Sequence, residues 1–380
     1  MTGYANFMAV FFAVLLLVCG AVFAAMPFLT RGREVFAVTV PASAQSDPAI
    51  RELKRTYALL VGAATVVCVA VVVAVGAATQ WSLVAMRVMV GVTIALSVGA
   101  YALMLVFRSR VRALKRERGW KAEVAERVAV VGSPAGGPLP QPVPMRANLV
   151  YIPIVLATLV LCVALYPQMP DQIPMHVDFS GNVTSYSEKS PATVGFALGM
   201  QVFMAAIMAF THFMILRSKR PVEPESPAES ALAYALYARA WSLAILLMGV
   251  VLCLCLALLP LTMAGLMSLA AWGALMVVVV LVILAVFVVL GVRYGQNGAR
   301  AIRSLRPREA DSRMRADDDA MWKAGVFYWN PADPAVVVPK RFGIGWTINW
   351  ARPLSWAIIA GLVLAVVLLV WFSIYVTVRG

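Results

Sequence analysis

An imidazole and a carboxylate stand two residues apart in the run Met175-His176-Val177-Asp178-Phe179. In an extended chain residues i and i+2 share a face. Together they suit a divalent cation or a peptide ammonium group, and Asp171, just upstream, adds a second carboxylate. One histidine is a thin ligand set, so no bound metal or other cofactor is expected. A plainer role competes: both side chains hydrogen-bond within the segment and fix its turn. Pro167, Pro170 and Pro174 stiffen the entry, and Ser180-Gly181-Asn182 is a turn signal.

Other residues lead to nothing sharper. Asp317-Asp318-Asp319 reads as a solvated helix N-terminus before it reads as a cation site. Gly343-x-Gly345 lacks the third glycine of a dinucleotide loop and reads as flexible backbone. The sequence has no HExxH, GxSxG or P-loop pattern, so an enzyme is not expected. The five cysteines, Cys19, Cys68, Cys162, Cys253 and Cys255, lie in apolar runs and read as free, packed thiols.

The elements that position these residues follow from composition. The chain has 380 residues, of which 62% are hydrophobic and only 13% charged. A soluble domain is nearer half apolar and a quarter charged. Long uncharged runs recur, and about 20 apolar residues cross a bilayer as a helix. The reading is an all-α polytopic membrane protein with eight spans, near 5–29, 57–79, 83–106, 148–166, 192–216, 238–260, 265–292 and 355–378.

Lys and Arg alternate between connections. Thr30–Thr56, Phe107–Ala147, the segment after span five and the segment between spans seven and eight are rich in them. The N-terminus, the Gln80–Ser82 turn, the loop around His176 and the turn after span six hold none or one. The positive-inside rule then puts both termini outside. The net charge of +14 is explained by this bias and by attraction to anionic lipid at the cytoplasmic face. Nucleic-acid binding is not needed.

Five regions result: a three-helix N-terminal region (1–147), a helix–outer loop–helix unit (148–216), a linker with a two-helix hairpin (217–292), a cytoplasmic basic helix and β-hairpin segment (293–354), and a last span (355–380). Asp47-Pro48 caps an amphipathic start to span two. The basic helix Arg108–Arg127 continues span three, and 131–144 and 221–230 read as flexible linkers. Arg300–Arg315 is helix-compatible. Val326–Trp329 and Ala335–Val338 read as the two strands of one hairpin turned by Asn330–Pro334. Lys340 and Arg341 are expected to meet lipid or a cytoplasmic partner. Trp346, Trp350 and Trp356 are expected in an interfacial belt. Gly195 and Gly199 form a GxxxG pattern suited to helix packing or oligomerisation.

The stretch YPQMPDQIPMHVDFSGNVTSYSEKSPATVGF resembles the short domain of unknown function in SdpI-type bacterial membrane proteins, with Pro170, Ile173, Pro174, His176 and Gly181 on its pattern. GVFYWNPADPAVVVPKRFGIGWTINWARP resembles a second uncharacterised domain that accompanies the first. The likeness does not reach the other half of SdpI. It implies a protein of the bacterial cytoplasmic membrane that senses or resists a secreted peptide through its outer loop and signals to a cytoplasmic regulator. A transporter, or a structural membrane protein, is the alternative. Against transport, no Asp or Glu lies inside a predicted span.

Overall fold

The computed structural model describes residues 3–31, 33–79, 81, 83–122, 138–178, 181–220, 227–301, 314 and 317–379. Among them, eight helices are long and apolar enough to cross a membrane. The spanning helices are α1 (Gly3–Leu29), α2 (Pro48–Ala78), α3 (Leu83–Glu117), α4 (Tyr151–Leu165), α5 (Pro191–Arg217), α6 (Pro227–Leu256), α8 (Leu269–Tyr294) and α9 (Pro353–Arg379). A short α7 (Leu259–Met263) follows α6. The protein is an all-α, multi-pass membrane protein.

Local chemistry sets the helix ends. Asp47 caps α2 by accepting from the Ala49 N–H, with Pro48 in the first turn. Ser190 and Ser268 cap α5 and α8 in the same way. α3 ends ten residues before the expected Arg127. Gly119, at φ +65°, lets Trp120 N–H reach the Lys115 carbonyl and its own N–H reach Arg116. This 6→1 and 5→2 pair ends a helix on a left-handed glycine. Residues 123–137 lie outside the described part.

Among the described residues, four two-stranded hairpins join the helices: β1–β2 (Glu34–Val35, Val38–Thr39), β3–β4 (Gln172–Val177, Val183–Glu188), β5–β6 (Trp322–Lys323, Phe327–Tyr328) and β7–β8 (Val337–Pro339, Trp346–Ile348). The expected single hairpin of 326–338 is corrected here. Phe327-Tyr328 pairs backward with Trp322-Lys323, and Val337–Pro339 pairs forward with Trp346–Ile348. Asn330–Pro334 connects the two hairpins. The backbone is pinned there because buried Asn349 donates to the Asn330 and Asp333 carbonyls.

The connections sort onto two faces, as the charge alternation requires. On one face, β1–β2, the end of α3 and residues 317–352 meet, and the Lys219 N–H donates to the Val337 carbonyl. On the other, β3–β4 meets the end of α9. The first face carries the basic connections, the side that the positive-inside rule assigns to the cytoplasm.

The described residues of both expected linkers, 138–144 and 227–230, are held in the fold. Pro227 already starts α6, and Val143 crosses the inner ends of α5 and α6, donating to Ser242 and accepting from His212. Buried His212 also pairs through Nδ1 with Asn148, 2.8 Å away. Because a carbonyl can only accept, Nε2 carries the proton. The expected helix over Arg300–Arg315 falls mainly on 302–313 and 315, outside the described residues.

Candidate functional site

The outer site is the β3–β4 hairpin. Its inner side is apolar: Met169 and Ile173 pack with Cys162 of α4, Val194 and Ala197 of α5 and Met263 of α7. The hairpin is thereby packed against the outer ends of α4 and α5 and against α7. Its outer side carries the residues picked out for chemistry. His176, Asp178 and Asp171 are all exposed.

The shared-face expectation for His176 and Asp178 is not met. β3 is irregular between Pro174 and His176 and again between His176 and Val177. His176 pairs across to Ser185, its Nδ1 2.7 Å from the hydroxyl. Asp178 has left the strand and closes the turn, its carboxylate accepting from the Asn182 N–H at 2.9 Å. Gly181, at φ +85°, supplies the left-handed step of that turn. Pro174 sits opposite Tyr186 in the ladder, and the Asp171 carbonyl accepts from Lys189 N–H at 2.8 Å. Imidazole and carboxylate are thus held by different partners. No group of three or more potential metal ligands occurs among the described residues.

One contact ties this hairpin to the outer end of α9. Buried Ser187 donates to the Val376 carbonyl of α9 at 3.1 Å. That carbonyl belongs to the last turn of α9, where helix carbonyls lack partners in their own helix. Phe196 and Gly199 of α5 meet Phe372 of α9 nearby, while Gly195 faces open space. The expected glycine stripe therefore contributes one of its two members to packing. Closer approaches occur at Gly20, Gly249 and Gly298, where a β-carbon would strike Thr65, Tyr151 and Ala233. No residue in the apolar window of α9 is buried. At its inner end Ser355 donates to the Asn349 carbonyl at 2.7 Å.

Asn349 is the hub of the inner site, a cap built from residues 317–352. Its side chain also accepts from the Asn330 and Ala351 N–H groups. Asp333, in the same turn, holds Lys219 and the Tyr328 hydroxyl, at 2.6 and 2.8 Å. Burial raises the Asp333 carboxyl, and Lys219 with the neighbouring donors brings it below its ordinary value.

Arg341 is also buried in the cap, only 2% exposed. Its guanidinium reaches Asp318 and Asp319, each at 2.6 Å, with Glu34 3.8 Å away and Thr39 bonded beside it. The expectation of lipid contact at Arg341 is corrected: four polar groups from two distant segments enclose it. The aspartate run does start a short 3-10 helix, Asp319–Met321, with Asp317 and Asp318 exposed, but Asp319 is drawn into ion pairs instead of solvent. Asp319 also takes Lys115 at 2.7 Å and the Thr39 N–H. Burial would raise its pKa, but Arg341, Lys115 and Thr39 hold it down at about 2. Burial opposes the charge of Arg341 too, and Asp318, Glu34 and Asp319 outweigh it, raising its pKa.

The same cluster clamps the β1–β2 turn. Phe36 and Ala37 both have positive φ, 45° and 58°, in a turn that ordinarily takes Asn-Gly. Each such residue costs of order 1–2 kcal/mol. Phe36 offsets this by burying its ring against Tyr57, Phe107 and Phe342, and Arg108 and Arg341 bond the Ala37 carbonyl.

Gly343 and Gly345, expected as flexible, form a clasped loop. Both have positive φ, and the Gln296 side chain bonds Gly345 N–H and carbonyl and the Lys340 carbonyl. Trp346 leaves the expected belt and packs between Tyr237 and Trp241 of α6. Trp350 stacks edge-on with Trp356, which is 53% exposed and remains at the surface. Sequence reasoning missed Glu34, Thr39, Lys115, Gln296 and Asn349. Glu34 stands next to Arg33 in a connection rich in cations, and that charge contrast was the one signal; the others are ordinary polar residues with remote partners.

The two sites coincide with two family matches. Residues 154–200 match a domain of unknown function (DUF1648), and residues 331–356 match a family of unknown function (DUF5808). The first covers most of α4, the outer hairpin and the start of α5; the second covers β7–β8 and the start of α9. No curated protein and no solved structure matches the chain.

Proposed function

We propose that this chain is a non-enzymatic sensor or immunity protein of the bacterial cytoplasmic membrane, which meets a cationic secreted peptide at its outer hairpin and reports to a cytoplasmic regulator at its inner cap. The observation that carries this reading is α9, bonded to the hairpin through Ser187 and to the cap through Ser355. A helix with little lateral packing, tied at both ends, passes a displacement at one end to the other. A ligand shifts such an equilibrium only by its differential affinity for the two states. The exposed acids Asp171, Asp178 and Glu188 favour a cationic ligand. The polar side chains Gln201 and His212 of α5 bond Cys253 and Val143 instead of lining a path, which argues against transport.

The test uses cells that depend on the chain to survive a cationic peptide toxin. His176→Ala and Asp178→Ala should lose protection while the protein accumulates normally. Ser187→Val should bind peptide and fail to respond. Full protection in all three variants at normal abundance sinks the proposal.

A further inference from the structure

A cavity of about 220 Å³ lies where the cap meets the first three helices. Phe23 and Met26 of α1, Tyr57 of α2, Ala100 of α3 and Phe342 of the clasped loop form apolar walls, and Lys340 stands at its edge. This is the liquid volume of about seven waters, more than a small ion needs. The level is informative. Met26 precedes Arg31, Tyr57 follows Arg55 and Ala100 precedes Arg108, the first charges of those segments on this side. The cavity therefore lies where hydrocarbon gives way to headgroups.

Lys340 differs from its neighbour. Arg341 is enclosed by Glu34, Asp318 and Asp319. Among the described residues, no acceptor is in bonding reach of the Lys340 ammonium, and burial lowers its pKa with no acid opposing it. Yet its side chain is exposed. It also lines the cavity. Its backbone cannot swing it away: the N–H donates to Gly345 and the carbonyl accepts from Gln296, each at 3.0 Å. Gly343 presses the same loop on Met26, where a β-carbon would sit 3.4 Å from the sulfur.

We propose that this cavity binds one anionic phospholipid of the inner leaflet, its phosphate on Lys340 and the start of an acyl chain between α1, α2 and α3. The occupant is argued from the level of the cavity, its apolar walls and the single uncompensated cation, and it does not depend on the outer hairpin binding anything.

The full chain in nanodiscs of phosphatidylcholine doped with phosphatidylglycerol is read by native mass spectrometry. One phosphatidylglycerol should be retained in preference to phosphatidylcholine. Lys340→Gln should lower that retention about tenfold, the size of one lost charge-assisted bond. Lys340→Arg should restore it, and Ala100→Phe should lower it by filling the cavity. Equal retention of the two lipids, or unchanged retention in Lys340→Gln, overturns the proposal. So does failure of Lys340→Arg to restore binding, which marks a folding defect. Displacement by inorganic phosphate would mean a soluble anion site, and preferential retention of added oleate a carboxylate site; either overturns the phospholipid assignment.

Discussion

The inner cap and the outer hairpin use polar residues in opposite ways. In the cap, Arg341 is buried among three acids, and its partners come from segments hundreds of residues apart. In the hairpin, His176, Asp178 and Asp171 are exposed, and the bonds of His176 and Asp178 run to close neighbours in sequence. Buried charges cannot exchange their partners for water, so removing one strands the rest. Exposed groups can give up a short-range bond at little cost. The cap is thus built to stay folded, while the hairpin leaves its polar groups within reach of solvent.

That contrast breaks most readily at Arg341. Arg341→Met leaves Asp319 without its main counter-charge, and a broken buried pair costs about 3–5 kcal/mol. Thermal unfolding in detergent should show the loss, and trypsin should cut the 317–352 segment faster. A melting curve like wild type would mean the network is not what holds the cap.

Next is Asp319. Its carboxyl has a pKa of about 2 against an ordinary 3.8. A depressed pKa contributes stability that is present above about pH 4 and lost as the pH falls through about 2. The shift corresponds to roughly 2 kcal/mol. Asp319→Asn should lower stability by about that much at neutral pH and flatten the acid limb between pH 4 and 2. An unchanged acid limb would place the titration elsewhere.

A smaller effect is expected where the two regions are joined. Ser187→Ala removes one buried hydrogen bond and should cost about 0.5–1.5 kcal/mol. Exchange protection should fall at the outer end of α9 and stay unchanged in the cap. Loss of protection in the cap as well would show the two ends to be more tightly coupled than one bond explains.

The smallest is His176→Ala. The ring is exposed and bonded only to Ser185 among the described residues, so stability should change by less than about 1 kcal/mol. A drop of several kcal/mol would make the hairpin a structural element like the cap and remove the contrast.

Much was legible without coordinates. The eight spans, the Asp47-Pro48 cap and the Gly181 turn were readable because each depends on residues within one or two turns of chain. The exposed outer loop was readable because the chain between α4 and α5 is polar and Pro-rich. The strand pairing at 322–348 was not. Asn330-Pro331-Ala332-Asp333-Pro334 has the composition of a hairpin turn, yet Asn349 bonds both its ends and turns it into a connector. The β1–β2 turn was hidden for the opposite reason, since Phe36-Ala37 carries no turn signal and is held by Tyr57, Phe107, Arg108 and Arg341.

By itself the sequence determined that this is a multi-pass membrane protein, how many times it crosses, and which connections share a side. A bilayer tests each segment alone: about 20 apolar residues suffice, and flanking charge decides direction. Tertiary structure decided where the charges within a connection go. Lys340 and Arg341 are adjacent in the sequence and chemically alike. One meets Glu34, Asp318 and Asp319, and the other meets an apolar cavity. Thr39 and Asp319 lie 280 residues apart, and no local rule links them. The choice of partner for a buried charge is a property of the packed whole, because its desolvation cost is offset only by groups that folding brings within a few ångströms.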